Sequence, residues 1–515
     1  MFIRIEMSMR AFLLFLLVSA CATKKTNGPG ELSPDSSGFF DKFPNISNLP
    51  ILPSSPDIAR FKTISFLNLK TWQCIADEAK ALGQFCSQSE DQKFVFKDLG
   101  YGIYNVVNRV NGKCLQLAKP SSAEGVLAVF EPCSPNNKYQ ELKIAKSNLD
   151  PLAGKLLFLM TNKCLAASEL SLESATLLKQ ETCYDGKQQD FYFLDRSKAQ
   201  KTLPRIVWTF WDSGESKMPA FYRANLIRWR TVLQGSKNPS KNWEIHVINN
   251  IKGDPNYIAN FVSVEQLPTV EFLQSKISPT EKLNANVVFS DFVRLELLNE
   301  LGGVWMDPSI MLHRSLNEVA NILETANSFS ILGYTSYSQA TKFLRYEDSL
   351  ENFFFMAYPK SELLGEWRKT FHRYWDEKQA SMLIENHPMF NGSEGQKIDV
   401  FNYGNLRQYL NQHLSLKHVL TLNPELRGQI LILGGTLLHD KGPFSLLTLV
   451  GWQDQALLDL KGDRMDAVFH AMRGVLISKF PSESSKNIRA KITDPAYFFR
   501  RDNIFGHLNA EPFEH

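Results

Sequence analysis

The sequence predicts two folded domains of different class in one chain: a cysteine-containing repeat module, then an α/β domain. Three observations predict this. All seven Cys lie before residue 184, and six of them recur as three pairs. Residues 290–309, SDFVRLELLNELGGVWMDPS, read as a helix, a double-glycine stop and a short apolar strand, the succession of an α/β layer. A length of 515 residues with 43% hydrophobic content can bury more than one core. The net charge of +3 argues against nucleic acid or a polybasic membrane surface as partner.

At the start of the chain, Arg4 and Arg10 precede the apolar run Ala11 to Val18, and Ser19, Ala20 and Cys21 follow it. A charged start, a short apolar centre and small residues make a signal peptide, too short for a membrane span. Val18-Ser19-Ala20-Cys21 resembles a bacterial lipobox. That resemblance implies a lipoprotein signal peptide over residues 1–21, lipidation of Cys21, and an exported protein lipid-anchored to a bacterial membrane, on its periplasmic face or at the cell surface. Residues 22–60, polar with Pro and Ser, read as a flexible tether.

The next stretch repeats itself. The first Cys of each pair is followed by an aliphatic residue: Cys74 by Ile75, Cys114 by Leu115, Cys164 by Leu165. Gln92, Gln140 and Gln189 step by 48 and then 49 residues. A fixed period of this size signals one supersecondary unit per repeat. Counting cysteines alone leaves their connectivity open.

Three units with C-[LI] and Q-x-[aromatic or Leu] resemble the ricin-type β-trefoil lectin domain over residues 61–198, which implies an all-β fold. The repeat register then favours Cys74 with Cys86, Cys114 with Cys133 and Cys164 with Cys183, closing loops of 12, 19 and 19 residues. Each such loop adds ~3 kcal/mol by constraining the unfolded chain. Disulfides of this sort suit an exported compartment. In the family the Gln bonds the backbone, a structural role. Its lectin members often hold sugar hydroxyls with an Asp two residues after the first Cys, where this chain has Ala76, Gln116 and Ala166. Asp77 and Gln116 are the nearest substitutes, so carbohydrate binding and a structural or protein-docking trefoil both stay open.

In the α/β domain, Asp291 and Arg294 share a helix face because i and i+3 are neighbours. Gly302 and Gly303 supply the positive φ of a helix end, and Val304 to Met306 make a buried strand ending in Asp307. A carboxylate at a strand's carboxyl end sits where open α/β sheets bind ligands. As an exposed ion pair, Asp291 and Arg294 would contribute only ~0.3–0.5 kcal/mol.

This segment resembles the DXD-containing glycosyltransferases of GT-A type, especially bacterial capsular polysaccharide synthesis proteins and, more distantly, the clostridial glucosylating toxins. The resemblance implies a Rossmann-like nucleotide-diphospho-sugar transferase domain over residues 199–490, leaving 491–515 as a C-terminal tail. It makes Asp291, Arg294 and Asp307 catalytic, with Asp291 and Arg294 on the donor's sugar and ribose. Asp307 and Ser309 would hold Mn2+ or Mg2+, which stabilises the charge on the departing diphosphate. Ser309 stands where a strict DXD has its second Asp, and a hydroxyl is the poorer ligand for a hard cation.

The flanks extend the likeness. LPRIVWTFW, residues 203–211, reads as the first nucleotide-binding strand, with Trp208 and Thr209 ending near the base. Glu351, Asn352 and the run 353–356 resemble the family's E-N-x-F segment, where Asn352 approaches the sugar. VLISKFPSESSK, residues 475–486, resembles the terminal basic segment that closes over donor phosphates, with Lys479 as its cation. His246, His372 and His470 lie in no HExxH or paired-Cys context, and the catalytic half has no GxGxxG, Walker loop or GxSxG. This argues against dehydrogenase, NTPase and α/β-hydrolase chemistry.

The sequence therefore reads as a glycosyltransferase moving a sugar from a nucleotide-diphosphate donor to a polysaccharide or surface glycan. The trefoil positions the acceptor, the anomeric configuration is retained as in the toxin relatives, and the partners are carbohydrate and, through the lipid, membrane. The alternative is a surface carbohydrate-binding lipoprotein whose GT-A domain is inactive. A glycoside hydrolase would need a carboxylate pair that the sequence does not offer. Nucleotide sugars are cytoplasmic whereas a lipoprotein is exported, so the donor comes from another compartment or cell, is not a nucleotide, or is only bound.

Overall fold

The computed structural model describes residues 62–510, apart from 149–152, 168–175, 197–200, 236–241, 336–349, 394–396, 401–406, 436–440 and some shorter gaps. The expected signal peptide, Cys21 and tether lie outside the described residues. Among the described residues, no helix is long and apolar enough to cross a membrane.

The first repeat comprises β1 (Ile64–Asn68), β2 (Gln73–Asp77), β3 (Ala81–Phe85) and β4 (Phe94–Gly100). The second comprises β5 (Ile103–Asn108), β6 (Lys113–Leu117), β7 (Ala128–Pro132) and β8 (Leu142–Lys146). The third comprises β9 (Ala153–Phe158), β10 (Lys163–Ala167), β11 (Thr176–Glu181) and β12 (Phe191–Asp195). The outer strands of the repeats pair antiparallel in a closed ring, β1 with β4, β4 with β5, β5 with β8, β8 with β9, β9 with β12 and β12 with β1. Each repeat adds a hairpin, β2–β3, β6–β7 or β10–β11. A six-stranded barrel with three hairpins is a β-trefoil, and closure removes the barrel's free edges.

Inward residues Ile64, Phe66, Phe94, Leu115, Leu142, Leu156, Leu165 and Phe191 form one core. The disulfides are Cys74–Cys86, Cys114–Cys133 and Cys164–Cys183, as the repeat register favours. The three glutamines do one job. Gln92, Gln140 and Gln189 are buried and accept from the backbone N–H of Ser87, Ser134 and Tyr184 at 2.8, 2.9 and 2.9 Å. A fully buried Lys155 Nζ bonds Asp190 Oδ1 at 2.5 Å in the third repeat.

The second unit is built on β13 (Ile206–Phe210), β14 (Glu244–Ile248), β15 (Gly303–Met306), β17 (Ile331–Thr335), β18 (Phe354–Ala357) and β19 (Ile430–Gly435), with β16 (Ile310–Leu312) and β20 (Ile477–Lys479) as a separate pair. The six-stranded sheet runs β14-β13-β15-β18-β17-β19. It is mixed: β13 is parallel to β14 and β15, and β18 runs antiparallel to β15 and β17. Strand alternation sends Trp208, Trp305 and Phe355 to one core and Val207, Val304, Met306, Phe354 and Met356 to another, so both faces are covered. Helices α1 (Ala220–Gln234), α2 (Ala285–Leu301), α3 (Glu362–Glu377) and α4 (Asn411–Leu422) provide that cover. The trefoil touches the second core through Leu67, Leu194 and Tyr192, whose ring lies 5.6 Å from Phe329.

Of the expected C-terminal tail, the described residues 491–510 are packed into the domain. Phe498, Ile504, Phe505 and Leu508 are fully buried against Phe221 and Met311, and Arg228 Nη1 donates to the Asn509 carbonyl at 3.1 Å. Four large apolar side chains within eleven residues bury enough surface to hold the segment down.

Candidate functional site

Helix α2 begins where the Asn284 side chain accepts from the Asn286 N–H at 2.9 Å and ends on two glycines with φ of 67° and 97°. At Gly303 a Cβ would lie 2.5 Å from the Ile206 carbonyl oxygen, so only glycine lets the chain pass directly from helix to central strand. That tight passage brings Asp307 back beside the helix it has just left.

Asp291 and Arg294 are 6% and 4% exposed and 3.0 Å apart. Burial removes the reading of a decorative surface pair. Arg294 Nη2 also reaches Asp307 Oδ1 at 3.3 Å, so one guanidinium joins both carboxylates. The Trp305 ring lies 4.8 Å from that guanidinium, and its Nε1 donates to Asp307 Oδ1 at 2.9 Å. On the other side of Asp307, Lys479 Nζ donates to Oδ2 at 2.5 Å and to Ser309 Oγ at 2.7 Å. The β16–β20 ladder, which pairs Ile310 with Lys479, fixes this approach.

Asn352 precedes β18, next to the point where the Asp307 N–H donates to the Phe353 carbonyl at 2.9 Å. Its Nδ2 donates to Asp291 Oδ1 at 3.3 Å and to Gln412 Oε1 at 2.7 Å. Gln412, on α4, also accepts from Arg294 Nη1 at 3.2 Å and donates to the Asp291 carbonyl at 2.8 Å. No sequence signal pointed to Gln412. Nearby, His413 Nε2 lies 3.6 Å from Glu351 Oε2, and Tyr409, 54% exposed, lies within the electrostatic reach of both aspartates.

The two carboxyls are tuned apart. Burial pushes the Asp291 carboxyl up to about 6, with Asp307 adding to the rise and Arg294 opposing it. Burial acts on Asp307 in the same direction, but Lys479 and Arg294 outweigh it and hold that carboxyl below the ordinary range. Asp307 is the permanent anion of the site.

Asp291, Arg294, Asp307, Ser309, Asn352 and Lys479 converge on one place. Trp208 and Thr209 do not. Trp208 is 1% exposed, donates from Nε1 to the Gly302 carbonyl at 2.8 Å and stacks on His246 at 5.0 Å, while Thr209 is fully buried. The expectation that these side chains meet the base is corrected: a strand centre covered on both faces turns them into the core. His372 belongs to a separate contact, hydrogen-bonded to Glu296 Oε1 at 2.7 Å.

The expected Mn2+ or Mg2+ meets an unsuitable donor set. Asp307 Oδ2 and Ser309 Oγ are both taken up by the Lys479 ammonium, and Asp307 Oδ1 by Arg294 and Trp305. Hard divalent cations want several free oxygens, and this cluster presents cations instead.

The family described as "Capsular polysaccharide synthesis protein" matches residues 166–384, which include Asp291, Arg294, Asp307, Ser309 and Asn352. Among curated proteins, the chain is similar to "O-glycosyltransferase PaGT" of Phomopsis amygdali, 28% identical over 184 residues covering 36% of this chain and 42% of that protein. It is also similar to "Glycosyltransferase afumC" of Aspergillus fumigatus, 30% identical over 186 residues covering 36% and 44%. The chain thus spans less than half the length of the curated relatives it matches. Among solved structures, a Macrolepiota procera ricin B-like lectin in complex with lactose matches 26% of this chain and 94% of its own at 17% identity and a TM-score of 0.24. The trefoil assignment rests on the closed strand ring itself.

Proposed function

We propose that the protein is a GT-A type glycosyltransferase that moves a sugar from a nucleotide-diphosphate donor to a polysaccharide or surface glycan. One observation carries the reading: a buried carboxylate, Asp291, and a half-buried one of different acidity, Asp307, joined by Arg294 and met by Lys479, gather where β15 ends. A departing diphosphate needs fixed, preorganised positive charge, which acts more strongly in a partly buried site than in bulk water. Arg294 and Lys479 have that charge, and Asp307 holds both in place. Asp291, anchored by Asn352 and Gln412, offers an oxygen to sugar or ribose hydroxyls. The similarity of the matched region to proteins named glycosyltransferases supports the same reading.

In this reading the trefoil keeps a weakly held glycan near the site and raises its local concentration. Export and a lipid on Cys21 belong to the proposal, since the three disulfides suit an oxidising compartment. A screen of nucleotide sugars with the purified chain, reading nucleotide release and glycan product, tests it. At least one donor is expected to be consumed and its sugar found on a glycan; retention of all donors intact contradicts the proposal.

A further inference from the structure

We infer that Lys479 is the resident cation of the diphosphate site and does there what a divalent metal does in DXD enzymes. The inference rests on the nucleotide-sugar reading above and deepens it. Its starting point is chemical. The two donors that would hold a metal, Asp307 Oδ2 and Ser309 Oγ, both bind one ammonium, at 2.5 and 2.7 Å. The second position carries a hydroxyl where a carboxylate would add the charge that attracts a divalent ion. Around them, Asp291 and Asp307 are matched by Arg294 and Lys479, so the cluster keeps no surplus negative charge for a metal to neutralise.

Lys479 is also built in. Its strand is laddered to Ile310–Leu312, its own N–H donates to the Pro443 carbonyl at 2.8 Å, and the next residue's N–H donates to the Ser309 carbonyl at 3.0 Å. The Phe353 ring lies 5.1 Å from the ammonium, which limits its sideways movement. An ammonium has three N–H donors, and Asp307 and Ser309 use two. The third serves a diphosphate oxygen. In transfer, the bond between the anomeric carbon and the diphosphate oxygen breaks and its electron pair stays on the diphosphate. The acceptor oxygen forms the new bond and gives up its proton to solvent. Lys479 exchanges no atom; it balances charge on the leaving group.

Calorimetric binding of UDP, GDP, ADP, CDP and dTDP to the full chain, first in EDTA and then in Mn2+, tests this, with the Lys479→Met and Lys479→Arg variants beside it. At least one diphosphate is expected to bind in EDTA, with Mn2+ changing its Kd by less than about threefold. Lys479→Met should weaken binding by about tenfold or more while Lys479→Arg keeps most of it. If binding strengthens about tenfold or more with Mn2+, the metal expels the ammonium and the inference fails, while the nucleotide-sugar reading stands. If no diphosphate binds in either condition, both fail. The comparison of EDTA with Mn2+ on the parent chain decides the matter even where Lys479→Met does not fold.

Discussion

Arg294 Nη2 lies 3.3 Å from Asp307 Oδ1, joining the middle of helix α2 to the end of the strand that follows it. The same side chain holds Asp291 at 3.0 Å, so the two acids of the site share one buried base. Replacing Arg294 with Ala leaves the buried Asp291 carboxylate without its cation and the half-buried Asp307 with one cation fewer. A loss of about 3–5 kcal/mol is expected. A denaturant titration reads it, and Arg294→Lys should recover only part, because an ammonium cannot reach both carboxylates as a planar fork does.

The acidity of Asp291 makes the site sensitive to pH. Its folded value near 6 lies above the unfolded one, so its contribution to stability is present at low pH and is lost as pH rises from ~4 through about 6. Asp307, held low, contributes the opposite way: its stabilisation is present above the ordinary carboxylate range and is lost on acidification. For activity, protonating Asp291 weakens its tie to Arg294, so nucleotide release should fall below pH about 6. Asp291→Asn should flatten that inflection, and a pH series of initial rates reads the difference.

In the trefoil, Lys155 and Asp190 form a pair with both side chains fully buried. Lys155→Met strands the Asp190 carboxylate and should cost about 3–5 kcal/mol, whereas Lys155→Met with Asp190→Leu should recover most of it. Thermal melts of the three proteins check this. Donor consumption at a permissive temperature should stay near the parent's.

The disulfides are not equivalent. Cys74 and Cys86 pack in the core that the trefoil shares with the second unit, while Cys114 lies fully buried apart from that core. Replacing Cys114 and Cys133 with Ser should cost ~3 kcal/mol of trefoil stability and spare nucleotide release. Replacing Cys74 and Cys86 should lower both, which a melt and a release assay on each variant will separate.

Much of this was legible in the chain because its information is local. Asp291, Arg294, the double glycine and Asp307 lie within seventeen residues, and helix periodicity with a glycine stop suffices to bring them together. The repeats were legible because three Cys pairs and three Gln share one register. Gln412 was not, since it stands 118 residues from Arg294 on a helix with no motif of its own. Trp208 misled because an aromatic on a strand reads the same whether it faces a ligand or a core, and only the cover from α2 and the stacked His246 decides. The segment after residue 490 misled because its charged stretch Arg500–Asp502 masks the apolar anchors on either side.

Nucleotide release from a consumed sugar donor, measured as initial rate for the parent chain and for Asp307→Asn at equal folded fraction, bears most directly on the site. The account predicts a loss of about a hundredfold or more in the variant, since Arg294 and Lys479 lose the anion that positions both. A variant that releases nucleotide at the parent's rate would mean that the chemistry lies elsewhere in the molecule.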